Sequence, residues 1–138
     1  MMMIMVNRRT FWLILKEKGE GLIAAFLSLA SFLLYFRTLA PSVACIFCDS
    51  LEFQLVTYTL GIAHPTGYPL YTLLGKLFTL IPLGDVAYRL NLTSALFGAA
   101  TVGILYLALR LALGYRVPAI LGASLFAVSS VFWSQARL

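Results

Sequence analysis

Three long runs without a charged residue constrain this chain more than any other feature. The first extends from Leu22 to Phe36 and, past Arg37, to Ala40; the others are Leu90 to Leu109 and Val117 to Ala136. Each is close to the ~20 apolar residues that a helix needs to cross a bilayer. Of 138 residues, 62% are hydrophobic and 11% charged, whereas soluble domains average roughly 45–50% and 25%. The sequence therefore predicts an all-α integral membrane protein with three transmembrane helices, and it excludes a soluble domain.

Basic residues beside these runs predict the orientation of the chain. Arg8, Arg9, Lys16 and Lys18 precede the first run, and arginines begin and end the segment 110–116. Lys and Arg are enriched in cytoplasmic loops, so we interpret the net charge of +5 as a sign of topology and of attraction to anionic membrane lipid. We do not interpret it as evidence of nucleic-acid binding. We expect a cytoplasmic N-terminal segment (1–21), membrane helices (22–40, 90–109, 117–136), a cytoplasmic turn (110–116) and a periplasmic, extracellular or lumenal loop (41–89).

Small residues recur at every fourth position in the second and third runs. They are Ala95, Ala99 and Gly103, and then Ala119, Ala123 and Ala127. Such rows let helix backbones approach closely, so we expect both helices to pack through them. The alternative is composition alone, because alanine is common in membrane helices.

The loop at 41–89 is too apolar to be disordered, and its length is typical of a functional connection. From Leu70 to Ile81 the apolar residues follow helical spacing, which predicts an amphipathic helix at the membrane surface or against the other helices. A second helix is expected to begin at Asp49. Between the two, the segment His64-Pro65-Thr66-Gly67-Tyr68-Pro69, here called the elbow, predicts a rigid turn with Pro69 in the first turn of the next helix.

Two acidic residues at the start of the first loop helix can have a chemical or a structural role. Asp49 and Glu52 are three positions apart and share one helix face, where a carboxylate can act as a general base. The same spacing is a variant of the helix capping box, and both roles are compatible if Asp49 caps through one oxygen. His64, a lone histidine beside proline, is more often a hydrogen-bonded structural residue than a catalytic one.

Other motifs in the chain carry little chemistry. Cys45 and Cys48 form a C-x-x-C pair, but with one histidine and no second pair they do not support a zinc site. Asn91 begins a formal glycosylation sequon, although a polar packing role is favoured at the mouth of a membrane helix. The sequence identifies no cofactor with certainty. Asp49 and Glu52 could hold a divalent metal because they are close together, but they could equally stand alone, and the sequence gives no further support for a metal.

Four segments of the chain, taken in order, carry a family resemblance. They are Asp49 to Phe53, Leu60 to Tyr71 with the elbow, Tyr88 to Ala95, and Phe132 to Ala136. Together they resemble the N-terminal part of a large membrane family, long labelled a domain of unknown function, that includes a protein O-mannosyltransferase of the animal endoplasmic reticulum. The resemblance covers roughly 22–136, and Thr66 departs from it because the family commonly has a second proline there.

The resemblance implies the GT-C glycosyltransferase fold, a multi-helix membrane core that uses a lipid-linked sugar phosphate as donor. It implies transfer of a sugar from a polyprenyl-phosphate donor to a hydroxyl of an acceptor protein or glycan, with inversion and including protein O-mannosylation. In that fold Asp49 takes the place of the catalytic base, with Glu52 as its neighbour. Members are several hundred residues long, so we expect this chain to be an N-terminal fragment, truncated after 138 and inactive alone.

The chemistry of such a transfer predicts further site residues. A departing phosphate needs cationic or hydrogen-bonding groups, for which His64, Lys76 and Arg89 are expected, with Tyr68 and Asn91 completing the substrate-binding set. The helix at 70–81 is expected to form part of the groove for the isoprenoid chain. The alternative function is a non-catalytic membrane subunit or transporter fragment whose outer loop binds a partner, although intramembrane charge, which would favour transport, is confined to the ends of the three runs.

Overall fold

The computed structural model describes residues 18–44, 49–65 and 67–138, and the regular secondary structure within these ranges is entirely helical. The helices are α1 (Lys18–Arg37), α2 (Asp49–Thr59), α3 (Pro69–Thr79), α4 (Val86–Leu113), α5 (Arg116–Ala127) and α6 (Ser130–Ala136). The expectations for the segment before Lys18, for Cys45 and Cys48, and for Thr66 lie outside the described residues.

Two of these helices are long and apolar enough to cross a membrane, namely residues Gly19–Arg37 of α1 and all of α4. α4 has 28 residues, about 42 Å at 1.5 Å per residue. Asp85 caps its N-terminus by accepting a hydrogen bond from the Tyr88 backbone N–H at 2.7 Å. Gly114, with φ at 76°, ends it in the left-handed conformation that glycine adopts without strain. The chain is therefore a helical membrane protein.

The third apolar run is not one straight helix. α5 and α6 are separated by a short break and bent by 63°, so the described residues contain two candidate membrane spans, or up to three if this pair forms one. At the break Ser129 is extended, with φ −61° and ψ 137°, and its hydroxyl donates back to the Phe126 carbonyl at 2.8 Å. Serine side chains that bond to nearby backbone compete with the helical hydrogen bonds, which gives a local reason for the bend.

The rows of small residues form the contacts between the long helices. Ala95 and Ala99 pack with Tyr35, and all three alanines of α5 lie in a second buried cluster with residues of α1 and α4. A Cβ on Gly103 would lie 2.9 Å from the Ala24 carbonyl oxygen of α1. The expected helix packing through these rows is confirmed.

The two loop helices pack on each other and on the start of α4. α3 makes these contacts through its small and polar side, since Thr72, Gly75 and Thr79 are buried. Its leucines point outward, and Leu70 and Leu73 are 69% and 60% exposed. An exposed apolar helix face of this kind is typical of a helix that lies in a membrane interface or under a further protein segment.

A buried carboxylate joins α1, α4 and α5 at the end of the long helices that lies away from the two loop helices. The Glu20 side chain is fully buried and accepts hydrogen bonds from the Tyr106 hydroxyl, from Arg110 Nε at 3.2 Å and from Arg116 Nε at 2.7 Å. We call these four residues the Glu20 cluster. Buried charges are stable only when paired in this way, so the cluster fixes how the three helices meet.

Candidate functional site

A cavity of about 400 Å³ opens beside the first residue of α2. Its polar wall comes from distant parts of the chain: Asp49 and Gln54 from α2, Tyr68 from the elbow, Asn91 and Ser94 from α4, and Gln135 from α6. We call it the Asp49 cavity. Asp49 itself is exposed and stands at the start of α2, so its carboxylate is placed where a ligand can reach it.

Glu52 lies outside the cavity wall and holds the elbow. Its Oε1 accepts a hydrogen bond from the His64 backbone N–H at 2.7 Å, and its Oε2 lies 2.7 Å from His64 Nδ1. The bond from the imidazole, followed by the one from the backbone, lowers the pKa of Glu52 below its usual value. A carboxylate can only accept, so Nδ1 carries the proton. The Glu52 carboxylate therefore orients His64, and the described wall of the Asp49 cavity contains neither residue.

The elbow places an aromatic residue in a strained backbone conformation. Gly67 N–H donates to the His64 carbonyl at 2.8 Å, which closes the turn, and Pro69 begins α3 as expected. Tyr68, between them, has φ 43° and ψ 50°, a left-handed conformation that is uncommon for a bulky residue and costs energy. Its ring packs edge-on against Phe53 at 5.0 Å between centroids, which fixes it in the cavity wall.

The two loop cations expected to bind phosphate are instead engaged with backbone carbonyls. Lys76 Nζ donates to the Tyr58 carbonyl at 2.5 Å and lies 5.0 Å from the centroid of the Tyr58 ring. Arg89 donates to three carbonyl oxygens near the end of α3, at 2.6 to 2.9 Å. Neither belongs to the described wall of the Asp49 cavity. A role in phosphate binding remains a prediction for both and would require them to exchange these bonds.

Asn91 lines the cavity, yet its amide is fully used within the protein. It is 1% exposed, and Nδ2 donates to the carbonyls of Ala40 at 3.1 Å and Ser42 at 3.2 Å. Its Oδ1 accepts from Gln54 Nε2 at 3.2 Å. Asn91 thus connects the chain after α1 to α2 and α4, in keeping with the packing role that the sequence favoured for this sequon.

Sequence reasoning missed several polar residues of the cavity wall. Gln54, Ser94 and Gln135 line it together with Tyr71. The available signal was weak: Ser94 and Gln135 are uncharged polar residues within otherwise apolar runs, and such residues in membrane helices often face a protein interior. No sequence feature distinguished Gln54 as a cavity residue, because α2 carries polar residues on several sides.

A second, apolar depression of about 470 Å³ adjoins the Asp49 cavity. It is lined by Tyr68, Pro69, Leu70, Tyr71, Leu74 and Phe97, and we call it the apolar groove. Tyr68 and Tyr71 belong to both surfaces, so these two tyrosines form the boundary between them. Burial raises the pKa of the Tyr71 phenol above its usual value, which favours its neutral form.

Metal ligands are not gathered at this site. Within the described ranges, no group of three or more His, Cys, Asp or Glu side chains is placed to hold a metal ion. The described side chains that line the Asp49 cavity include a carboxylate, amides and hydroxyls.

Comparison with known proteins gives a consistent result. The family model of the protein O-mannosyl-transferase TMEM260 N-terminal domain matches residues 49–137. The protein O-mannosyl-transferase TMEM260 of Mus musculus is 40% identical over 115 residues, 83% of this chain and 16% of that protein. Its namesake in Dictyostelium discoideum is 30% identical over 128 residues, 91% of this chain and 15% of that protein. The chain spans about one sixth of the length of these relatives, and no solved structure matches it.

Proposed function

Because this chain belongs to the family of the protein O-mannosyl-transferase TMEM260 N-terminal domain, we propose that it forms part of the sugar-transfer site of a membrane glycosyltransferase. The proposed reaction moves a sugar from a polyprenyl-phosphate carrier to a hydroxyl of an acceptor protein, and mannose is the sugar that the names of the relatives suggest. The proposed architecture is the N-terminal part of a GT-C fold.

The observation that carries this proposal is the junction of the Asp49 cavity and the apolar groove at Tyr68 and Tyr71. A polyprenyl-phosphate sugar has a polar head joined to a long apolar chain. The polar cavity is suited to the sugar and phosphate, and the groove to the first isoprene units. Pockets that combine apolar walls with a few polar groups are the usual form of such ligand sites. The outward leucines of α3 extend the apolar surface beyond the groove.

We assign Asp49 the role of general base. Its carboxylate takes the proton of the acceptor hydroxyl while the acceptor oxygen bonds to the anomeric carbon of the sugar. The bond from that carbon to the phosphate oxygen breaks, and its electron pair leaves with the polyprenyl phosphate. Attack and departure occur on opposite faces, so the configuration at the anomeric carbon is inverted.

The remaining charged residues of the loop have supporting roles in this proposal. Glu52 assists by holding His64 and the elbow, and with them Tyr68, at the cavity. His64, Lys76 and Arg89 are the groups that can stabilise the leaving phosphate by charge or by hydrogen bonding, Lys76 and Arg89 after exchanging their present carbonyl partners for the ligand. In the proposed topology the N-terminus is cytoplasmic and the loop that carries the site lies on the opposite side of the membrane.

The proposal is tested by Asp49→Asn in the complete natural protein that contains this chain. Asparagine caps a helix about as well as aspartate, so folding should be retained, whereas loss of the base should lower transfer from polyprenyl-phosphate mannose about 10²- to 10⁴-fold. Asp85→Asn is the matched control, because Asp85 is an aspartate at the start of α4, which it caps, and it lies outside the cavity wall. A folded Asp49→Asn protein that transfers at the wild-type rate would remove Asp49 from the mechanism.

A wild-type protein that neither binds nor consumes the polyprenyl-phosphate sugar would contradict the proposed function as a whole. That result would favour the alternative of a non-catalytic membrane subunit.

A further inference from the structure

The hydrogen bonds of Asn91 determine the orientation of its side-chain amide. Nδ2 faces the carbonyl oxygens of Ala40 and Ser42, and a carbonyl can only accept a hydrogen bond. The nitrogen must therefore be on that side, and Oδ1 must be on the side that faces Gln54. The two backbone carbonyls thus determine which side of the Asn91 amide carries the nitrogen and which side carries the oxygen.

The orientation of Asn91 in turn determines that of Gln54. Only the nitrogen of the Gln54 amide can donate to Asn91 Oδ1, and it does so at 3.2 Å. The carbonyl oxygen Oε1 consequently lies on the other side of the amide. It is buried and accepts no hydrogen bond from any described residue. Buried acceptors without a partner are uncommon in folded proteins, and each calls for an explanation such as a bound ligand.

Among the described residues, two other buried side-chain oxygens lack partners, and their position separates them from Gln54. They are Oγ1 of Thr57 and Oγ1 of Thr72, which lie where α2 and α3 pack together and outside the wall of the Asp49 cavity. Gln54 is part of that wall, one helical turn and a residue beyond Asp49. Of these unpaired acceptors, the one on Gln54 is therefore the one whose residue lines the cavity.

We propose that Gln54 is a substrate-recognition residue whose Oε1 accepts a hydrogen bond from a hydroxyl group of the ligand in the Asp49 cavity, and that Asn91 is the positioning residue that keeps this oxygen available. The inference rests on the proposed function and specifies what the cavity recognises. Ionised phosphate oxygens and an isoprenoid chain have no proton to donate, whereas the donor sugar and the reacting group of the acceptor each bring hydroxyls to the cavity in the proposed reaction.

The test compares Gln54→Met with Thr57→Val in the complete protein. Methionine matches glutamine in length and removes the acceptor. Thr57→Val removes an unpaired buried oxygen from the same helix away from the cavity. Equilibrium binding of polyprenyl-phosphate mannose without acceptor, the KM for an acceptor peptide and the melting temperature are measured for each. One lost hydrogen bond should weaken binding about 3- to 10-fold, with kcat near that of Thr57→Val. The melting temperature should fall below that of Thr57→Val, because methionine also removes the donor to Asn91 Oδ1.

The two sources of the hydroxyl give different results. A weaker donor Kd with an unchanged acceptor KM assigns the hydroxyl to the sugar, and the reverse assigns it to the acceptor. If the sugar is the source, one singly deoxygenated mannose donor should bind the wild-type protein more weakly but bind Gln54→Met as well as the intact donor does. If Asn91 acts through Gln54, Asn91→Ala should weaken the same binding step in the wild-type background. In the Gln54→Met background it should weaken that step little further.

Unchanged donor Kd and acceptor KM in a folded Gln54→Met protein would overturn this inference and leave the proposed function standing. An equal change in Thr57→Val would also overturn it, because the effect would then be structural. A wild-type protein that neither binds nor consumes the donor would overturn the proposed function and this inference together.

Discussion

Glu52 uses both of its carboxylate oxygens on a single residue, accepting from the backbone N–H of His64 and from its Nδ1, each at 2.7 Å. The pair fastens the elbow to the first turn of α2. It also gives the two neighbouring acidic residues different surroundings. Asp49 lies in the cavity wall, whereas both oxygens of Glu52 are hydrogen-bonded to His64.

The first prediction is a pH dependence of stability that originates at Glu52. Its pKa is lowered in the folded protein by the bonds from His64, so the ionised form is favoured by folding. The resulting stabilisation is fully present above the usual pKa of a glutamate, about 4.3, and is lost as the pH falls through the lowered value. Melting temperatures of the wild-type protein and Glu52→Gln should differ near pH 7 and converge in acid. A constant difference across the whole range would contradict this assignment.

The second prediction concerns the contact of α4 with α1 at Gly103. A Cβ there would meet the Ala24 carbonyl oxygen at 2.9 Å and the Ser28 hydroxyl, so Gly103→Ala should lower the free energy of unfolding by about 1–3 kcal/mol. Gly21→Ala is the matched control on α1, because nothing lies within 4 Å of its added Cβ and alanine should stabilise the helix by about 0.5–1 kcal/mol. Thermal unfolding in detergent measures both variants. Equal shifts of the same sign would show that the two helices do not pack here.

The third prediction concerns the Glu20 cluster. Glutamine at position 20 would retain one acceptor oxygen for three donors and leave the Arg110 charge, only 15% exposed, without its partner. Breaking a buried ion pair costs about 3–5 kcal/mol, and partial exposure reduces the cost; Arg116 is 52% exposed. We therefore expect Glu20→Gln to destabilise the protein by about 1–3 kcal/mol, against less than about 0.5 kcal/mol for Arg37→Gln at the exposed end of the same helix. Similar melting temperatures for both variants would show that the cluster adds no stability.

The fourth prediction is the topology of the chain in its membrane. After replacement of Cys45 and Cys48 by serine, a membrane-impermeant thiol reagent applied from the non-cytoplasmic side should label Leu83→Cys and leave Tyr115→Cys unlabelled. Both side chains are exposed, so accessibility alone does not decide the outcome. Leu83 lies in the loop before α4 and Tyr115 in the turn after it. The reverse labelling pattern would place the Asp49 cavity on the cytoplasmic side and contradict the proposed orientation.

The sequence by itself determined the helical class, the two loop helices and the packing rows of the long helices. These follow from local rules: a backbone without water must be hydrogen-bonded within a helix, Pro69 suits the first turn of α3, and small residues four apart share one helix face. The family resemblance on Asp49 to Phe53 and the elbow came from the same short segments.

Only the tertiary structure decided which residues share the site. The Asp49 cavity draws Gln54, Asn91 and Gln135 from three helices, and no spacing along the chain encodes that meeting. The structure also engages Lys76 with a carbonyl at the end of α2, and Arg89 with one at the end of α3 and two in the loop before α4. It turned the leucines of α3 outward, because in a membrane protein the apolar face of a helix can favour the surroundings over the interior. These outcomes depend on the three-dimensional arrangement of hydrogen-bonding groups and of the solvent around them, which a linear pattern does not contain.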